Sequence, residues 1–356
     1  MPIVLPNKRF YKIIHLVPYD AIGGVELAAR TMSSLQRGKI DFKVEYIYTK
    51  NPRFKGINSV YNILLLWTSA WRISRQRPDV LVVSLWPSSI VGILVKLIRP
   101  KTKLVTFIHS EKNAHIIDYI FTRSSLLLSL QIWSDSAATI IGRLSASQCK
   151  RARVISFVTK NPELVPPKKV EPVFIFWGRI HSVKSLDRAV RIFSEIIKRH
   201  VCAQFYIIGP DDGALSDIKK LCVSLDLGEA VKFIGPATSD QIVSYARLAS
   251  FYLQTSVMEG MAMSVIEAMQ LGLVPVVTPV GEIASYGQDG RNAVIVESDN
   301  QVVKDVLSLL ESNDRYQALR EMAIATWHGQ LLYRESVLEA CQEIIASEFS
   351  LKEIVH

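Results

Sequence analysis

The chain has 356 residues, 49% hydrophobic and 21% charged, with a formal net charge of +9. That is enough for two ordinary hydrophobic cores and too much for a small stapled scaffold or a disordered tail. Its four cysteines, Cys149, Cys202, Cys222 and Cys341, form no C-x-x-C pair and stand beside no metal-ligand pattern, as expected of reduced thiols in a cytoplasmic protein.

Residues 1–9 are short and proline-broken, so no secretory signal is expected there, and no apolar run reaches the ~20 residues needed to cross hydrocarbon. A cytoplasmic protein, or one peripheral on the inner face of the cell membrane, is the expectation. The charge is uneven along the chain. Residues 1–168 hold 25 Lys and Arg against 9 Asp and Glu, a balance of +16, whereas the rest hold 17 against 24, a balance of −7. A first half so basic is expected to meet something anionic: a lipid headgroup surface, a phosphorylated acceptor or nucleic acid. The plainer alternative is that its lysines only solubilise a surface.

Apolar runs of strand length alternate with helical patterns throughout, the mark of β-α-β units and a parallel sheet. Strands are predicted over 12–17, 43–48, 80–85, 103–108, 138–141 and 153–158. After them, residues 161–172 carry four prolines, which suits a linker and neither a helix nor a central strand. The plan then repeats, with strands predicted over 173–177, 204–208, 231–234, 251–254, 274–278 and 293–296, and helices from Gln301 onward. The pattern predicts an α/β chain of two doubly wound, Rossmann-like domains. An N-terminal domain of 1–162, a linker of 163–172, a second domain of 173–330 and a helical tail of 331–356, extending the second domain or packing back on the first, are the expected boundaries. Within the first domain, residues 61–77 mix an apolar face with Trp67, Trp71 and three arginines, a pattern that fits an interfacial helix and equally an amphipathic helix buried against the sheet.

Open parallel sheets bind ligands at the carboxyl ends of their strands, so the residues just after each predicted strand carry the information. Five places stand out. After the first strand, Gly23 and Gly24 would let backbone amides approach a phosphate or sugar, or simply make a tight turn. His109 follows the fourth strand, as a contact for a transferred sugar or as a structural histidine. Gly178-Arg179 and then Lys184 follow the strand at 173–177, where an arginine fork and a lysine point charge suit a diphosphate. Glu259 and Glu267 flank a helix start. On one helix they would stand about 80° apart in azimuth and about 12 Å apart along the axis, too far for a pair working on a single bond, where ~5 Å is wanted. Between them the amides of Met263, Ser264 and Val265 can face an anion. Last, Gly209 and Gly235 end strands where backbone groups could flank a base, or make ordinary turns. No Asp-x-Asp occurs in the chain, which disfavours the metal-dependent transferases that hold a cation with that motif.

Taken together these residues resemble the retaining glycosyltransferases of the GT-B fold, family 4 or group 1. Gly23, Gly24 and Glu26 resemble the family's Gly-Gly-x-Glu. Pro78-Asp79 and His109 resemble its third strand and acceptor-side histidine, Gly178-Arg179 with Lys184 its Gly-Arg-x-x-x-x-Lys, and Glu259 with Glu267 its E-x7-E. The resemblance implies two Rossmann-like domains facing across a cleft, and a nucleotide-diphosphate sugar held mostly by the second. Arg179 and Lys184 would hold the diphosphate, Glu267 the ribose and Glu259 the donor sugar, with His109 and the Gly23-Gly24 loop on the acceptor side.

A hexosyl or N-acetylhexosaminyl group would move to a glycan or lipid-linked glycan in bacterial surface polysaccharide or lipopolysaccharide synthesis. Anomeric retention would be kept with no metal and no cofactor beyond the donor, and a UDP-sugar is favoured over a GDP-sugar because the family uses it more. Met261-Ala262 and Gly281-Glu282 depart from the commoner family residues, which bears on the choice of sugar. A GT-B sugar-nucleotide epimerase and a non-catalytic GT-B subunit of a partner transferase are the alternatives. Nucleic-acid binding is not expected, because neither interleaved aromatics nor a P-loop accompanies the basic half.

Overall fold

The structure is a computed structural model that describes residues 10–20, 24–33, 35–48, 60–110, 112–160 and 169–353. Gly23 and most of the proline-rich segment lie outside these residues. The chain divides into two units, one formed by residues 1–159 with 331–356, the other by 160–330.

The first unit runs β1 (Tyr11–Tyr19), α1 (Gly24–Arg30), β2 (Leu35–Arg37), β3 (Ile40–Tyr48), α2 (Val60–Arg75), β4 (Val80–Ser84), α3 (Trp86–Ile98), β5 (Lys103–Ile108), α4 (Ile116–Leu128), β6 (Gln131–Ser134), α5 (Ala137–Arg143), α6 (Ala146–Cys149) and β7 (Ala152–Val154). Its sheet has the order β2-β3-β1-β4-β5-β6-β7, parallel except for β2 against β3. Central strands of such a sheet are covered on both faces, which is why β4 is apolar and buried from Val80 to Val83 without alternation. The right-handed crossovers from β3 to β4, β4 to β5 and β5 to β6 all step the same way, so α2, α3 and α4 form one layer on one face. Leu66, Ala70 and Ile73 of α2 and Val91 and Val95 of α3 pack there on Ile14, Leu81, Val83 and Leu104 of the sheet.

One predicted strand is wrong. Residues 138–141 lie in α5, and the sheet takes Gln131–Ser134 instead. The β-branched run Thr139-Ile140-Ile141 suggests a strand by propensity, but the Ser136 hydroxyl accepts from the Thr139 amide at 3.1 Å and caps a helix start. Ile132 and Trp133, both fully buried, fill the place in the sheet. The strand predicted over 153–158 stops at Val154, although Ile155, Phe157 and Val158 remain buried.

The second unit runs β8 (Val173–Trp177), α7 (Leu186–Ile197), β9 (Gln204–Ile208), α8 (Leu215–Ser224), β10 (Val231–Gly235), α9 (Ser239–Leu248), β11 (Phe251–Gln254), α10 (Met263–Gln270), β12 (Val274–Val277), α11 (Ile283–Tyr286), β13 (Val294–Ile295), α12 (Asp299–Glu311) and α13 (Asn313–Thr326). Its sheet is parallel with the order β10-β9-β8-β11-β12-β13. Strand order reverses between β8 and β11, so the loops after these two strands are where an open α/β sheet binds a ligand. The end of the proline-rich segment is tied to this unit, with the Val170 amide donating to Asn313 Oδ1 at 3.0 Å and the Glu171 amide to Ser250 Oγ at 2.9 Å.

The last helix, α14 (Tyr333–Glu353), belongs to the first unit and buries Tyr333, Val337, Cys341, Ile344 and Ile345. The Tyr333 amide donates to the Val158 carbonyl at 2.7 Å, and Lys103 Nζ to that of Ile344 at 3.0 Å. Among the described residues no helix is long and apolar enough to cross a membrane.

Candidate active site

Two loops of the second unit are strapped together at the β8/β11 switch point. After β8, Ser182–Lys184 makes one 3-10 turn, capped by His181 Nδ1 accepting from the Val183 amide, and Ser185 takes a left-handed conformation (φ 44°) that turns the chain into α7. After β11, Thr255 Oγ1 donates to the Ser185 carbonyl at 2.7 Å and the Val257 amide to the Val183 carbonyl at 2.9 Å. The strapping brings Lys184 to Glu259, Nζ to Oε1, at 2.6 Å.

Gln254, at the end of β11, extends this contact into a network. Its Nε2 donates to the same Glu259 oxygen at 3.1 Å, while its Oε1 accepts from Tyr252 Oη at 2.8 Å and Ser264 Oγ at 3.0 Å. One cation and one amide therefore hold the Glu259 carboxylate in place. A buried glutamine at a strand end, in an otherwise apolar run, is a signal that sequence reading could have used.

The two glutamates do not share a helix. Glu259 sits in the loop after β11 and α10 begins only at Met263, so the helical spacing considered for the pair does not apply. Glu267 lies within α10 and accepts from Trp177 Nε1 at 3.0 Å. Burial pushes its pKa above the ordinary carboxyl range, opposed by the Trp177 hydrogen bond and the Lys160 charge. Ala262 (φ 54°) starts α10 in a left-handed conformation, and its carbonyl accepts from the Val265 amide at 2.9 Å. Of the three amides expected to face an anion, that of Val265 is thus engaged within the helix start.

Arg179 and Lys184 do not share a carboxylate partner. Arg179 Nη1 reaches Asp212 Oδ2, in the turn after β9, at 2.5 Å, and its side chain is 61% exposed. Gly209 serves the packing of these turns: its amide donates to the Gly235 carbonyl at 2.8 Å, and a Cβ built on it would stand 1.8 Å from the Gly178 carbonyl oxygen. That amide is therefore spent on the protein, and the glycine is required because two strand-end turns touch.

In the first unit, Gly24 is the first residue of α1, and His109 follows β5 with a side chain only 5% exposed. Its Nε2 lies 3.0 Å from Ser84 Oγ and its Nδ1 3.8 Å from Asp135 Oδ2, while His15 Nε2 lies 2.8 Å from the same Ser84 oxygen. Both ring nitrogens of His109 thus face protein groups. Burial, with the His109 charge, pushes the His15 pKa down to about 3. Ser84 and Asp135 were not singled out in the sequence, since neither carries a motif.

Residues 159–326 match the family model described as glycosyl transferases group 1, a segment taking in almost the whole second unit. D-inositol 3-phosphate glycosyltransferase of Nocardia farcinica is 26% identical over 163 residues, 44% of this chain and 36% of the relative. An uncharacterized glycosyltransferase of Haemophilus influenzae is 30% identical over 178 residues, 47% of this chain and 48% of the relative. The chain thus spans between a third and a half of the length of these relatives. Among solved structures, Anabaena HepE in complex with UDP and glucose superposes with a TM-score of 0.73 at 14% identity, covering 94% of this chain and 100% of that one. The lipopolysaccharide outer core galactosyltransferase WaaB gives 0.66 at 16% identity, covering 93% and 99%. The fold is that of the GT-B glycosyltransferases.

Proposed function

We propose that the protein is a retaining glycosyltransferase that moves a hexosyl or N-acetylhexosaminyl group from a nucleotide-diphosphate sugar to a glycan or lipid-linked glycan acceptor, in bacterial surface polysaccharide or lipopolysaccharide synthesis. The observation that carries this reading is the Lys184–Glu259–Gln254 network beside Glu267, at the switch point of the unit that matches the group 1 family model. In this reading Glu267, held by Trp177, takes the ribose hydroxyls, and Glu259 orients the donor sugar. Lys184 and Arg179 hold the diphosphate, together with the amides of Met263 and Ser264.

The mechanism follows from where charge develops. As the bond from the anomeric carbon to phosphate breaks, the diphosphate gains negative charge, and cations already in place stabilise that state more than the ground state. Arg179 is well suited to be redirected, because its pair with Asp212 is exposed on both sides and such pairs contribute little. The departing phosphate, on the same face as the acceptor, takes the acceptor's hydroxyl proton, which yields retention without a protein nucleophile. His109 and the Gly24 helix start belong to the acceptor side. UDP is the favoured base-carrier, supported by the UDP in the HepE structure, and the protein's cations take the place of a metal, supported by the missing Asp-x-Asp.

The test is thermal stabilisation by UDP, GDP, ADP and their sugars, with and without a chelator, since a ligand of the native state raises stability by RT ln(1 + [L]/Kd). Stabilisation by one nucleotide in the presence of the chelator, abolished in Arg179→Ala, is expected. A folded protein that responds to none would remove the donor site and favour a non-catalytic subunit.

A further inference from the structure

The Glu259 carboxylate is held by one of its two oxygens. Lys184 Nζ, at 2.6 Å, and Gln254 Nε2, at 3.1 Å, both donate to Oε1, and no described residue donates to Oε2. Oε2 is not sealed in the interior either, so it stands open to a ligand. The backbone of this loop is fixed from the side of the loop after β12. The Glu282 amide donates to the Gly260 carbonyl at 3.0 Å, Tyr286 Oη donates to that of Met261 at 3.3 Å, and a Cβ on Gly281 would overlap the carbonyl oxygens of Glu259 and Gly260. With the backbone pinned, what remains to be set is the rotation of the carboxylate, and Gln254 and Lys184 set it.

Gln254 is fully buried at the end of β11, after Phe251, Tyr252 and Leu253, and a buried amide is sustained only where its polar atoms are paired. Its orientation follows from its partners. Exchanging its nitrogen and oxygen would set a carbonyl oxygen against the Glu259 carboxylate, so Nε2 faces Glu259 and Oε1 accepts from Tyr252 Oη and Ser264 Oγ. Tyr252 is itself fully buried, with Oη 3.2 Å from the Trp177 carbonyl oxygen, and has no room to turn away. An amide locked from behind thus aims a fixed N–H at one carboxylate oxygen. We propose that Gln254 is a positioning residue for the choice of donor sugar: by filling Oε1 together with Lys184, it leaves Oε2 as the single oxygen that a hydroxyl of the sugar can meet and fixes where that hydroxyl must be. Sugars that differ in the direction of one hydroxyl are then told apart, because the wrong one leaves a charged acceptor unpaired. The inference rests on the transferase reading and adds to it the residue on which its selection among sugars depends.

The experiment is isothermal titration of the purified full chain, and of Gln254→Met and Tyr252→Phe, with UDP, UDP-glucose, UDP-galactose and UDP-N-acetylglucosamine. Where GDP or ADP is the nucleotide that stabilises the native chain, its sugar nucleotides take their place. The native chain is expected to bind one sugar nucleotide more tightly than the bare diphosphate and than the other sugars. Gln254→Met keeps the length and bulk of the side chain without its amide. It should bind the bare diphosphate as the native chain does, while the gain from the sugar and the preference among sugars both fall about 10-fold or more. Tyr252→Phe removes one of the two bonds on Oε1 and should lower the same ratios about 3-fold, which keeps the test open if the methionine variant fails to fold. A merely structural role would weaken the bare diphosphate in proportion, so equal losses for diphosphate and sugar nucleotide would overturn the proposal. So would a native sugar preference in the folded variants, or a native chain that binds the diphosphate and gains nothing from any sugar. Binding of no nucleotide by the folded native chain is instead the failure of the transferase reading, and this proposal falls with it.

Discussion

At the residue scale, the two cations after β8 are held differently and should respond differently to removal. Lys184→Ala leaves the mostly buried Glu259 carboxylate without its cation and should cost on the order of 3 kcal/mol of stability. Arg179→Ala breaks only an exposed pair and should stay within about 0.5 kcal/mol. Both should lower turnover by roughly 10² to 10³ fold if each stabilises the leaving diphosphate, so melting curves beside initial rates separate folding from chemistry. Glu267 makes a pH prediction. Its pKa is raised on folding, so below the ordinary carboxyl value both states are protonated, and as pH rises toward the raised value the unfolded state ionises first and stability falls. Glu267→Gln keeps an acceptor for Trp177 and should lose that decline in melts from acid to neutral pH.

His15 has the opposite sign. Its folded pKa is about 3, so its contribution is complete above pH 6.5 and is lost as pH falls through that window. His15→Asn should flatten the acid limb of the melting curve. Lys184 and Glu259 stand out as candidates in the sequence because charge after a strand is conspicuous, and Glu267 because it interrupts an otherwise apolar helix. Gln254 carried a signal, as a polar residue ending an apolar strand, but not which carboxylate it would face, and Trp177 carried none, because its role comes from the carboxylate that lies opposite it after folding.

At the scale of elements, parallel central strands were the clearest in the sequence. The predicted strands at 103–108, 173–177, 204–208 and 251–254 coincide with β5, β8, β9 and β11, since burial on both faces demands short unbroken apolar runs. The failure at 138–141 has a physical cause. Local propensity favoured a strand, while a serine cap and the buried Ile132-Trp133 pair settled which segment the sheet received. Turns show the same dependence on neighbours. Gly209 and Gly290 both have positive φ, yet a Cβ at Gly209 would meet the Gly178 carbonyl oxygen and one at Gly290 would meet nothing within 4 Å. Gly290→Ala should cost only about 1 to 2 kcal/mol of backbone strain, and Gly209→Ala more, about 3 kcal/mol. Chemical denaturation of the two variants measures the difference.

At the scale of the whole molecule, one unit is continuous in sequence and the other is not. Residues 160–330 should therefore fold alone, melt cooperatively and keep nucleotide stabilisation. Residues 1–330 lack the helix that buries Tyr333, Val337, Cys341 and Ile344, so their first unit should unfold or aggregate while the second persists. Limited proteolysis of the two truncations reads this directly, by survival of a fragment near 160–330 in both.

The sequence by itself determined the fold class, two parallel-sheet domains, and the strand ends at which charge collects, because apolar periodicity and strand-end composition are local consequences of burial. Tertiary structure alone decided that Lys184 meets Glu259 and that Arg179 meets Asp212. It also decided that both His109 nitrogens face protein groups and that α14 completes the first unit. Each of these depends on contacts between segments far apart in the chain, where the distance of a side chain from its partner is set by packing and leaves no periodic trace.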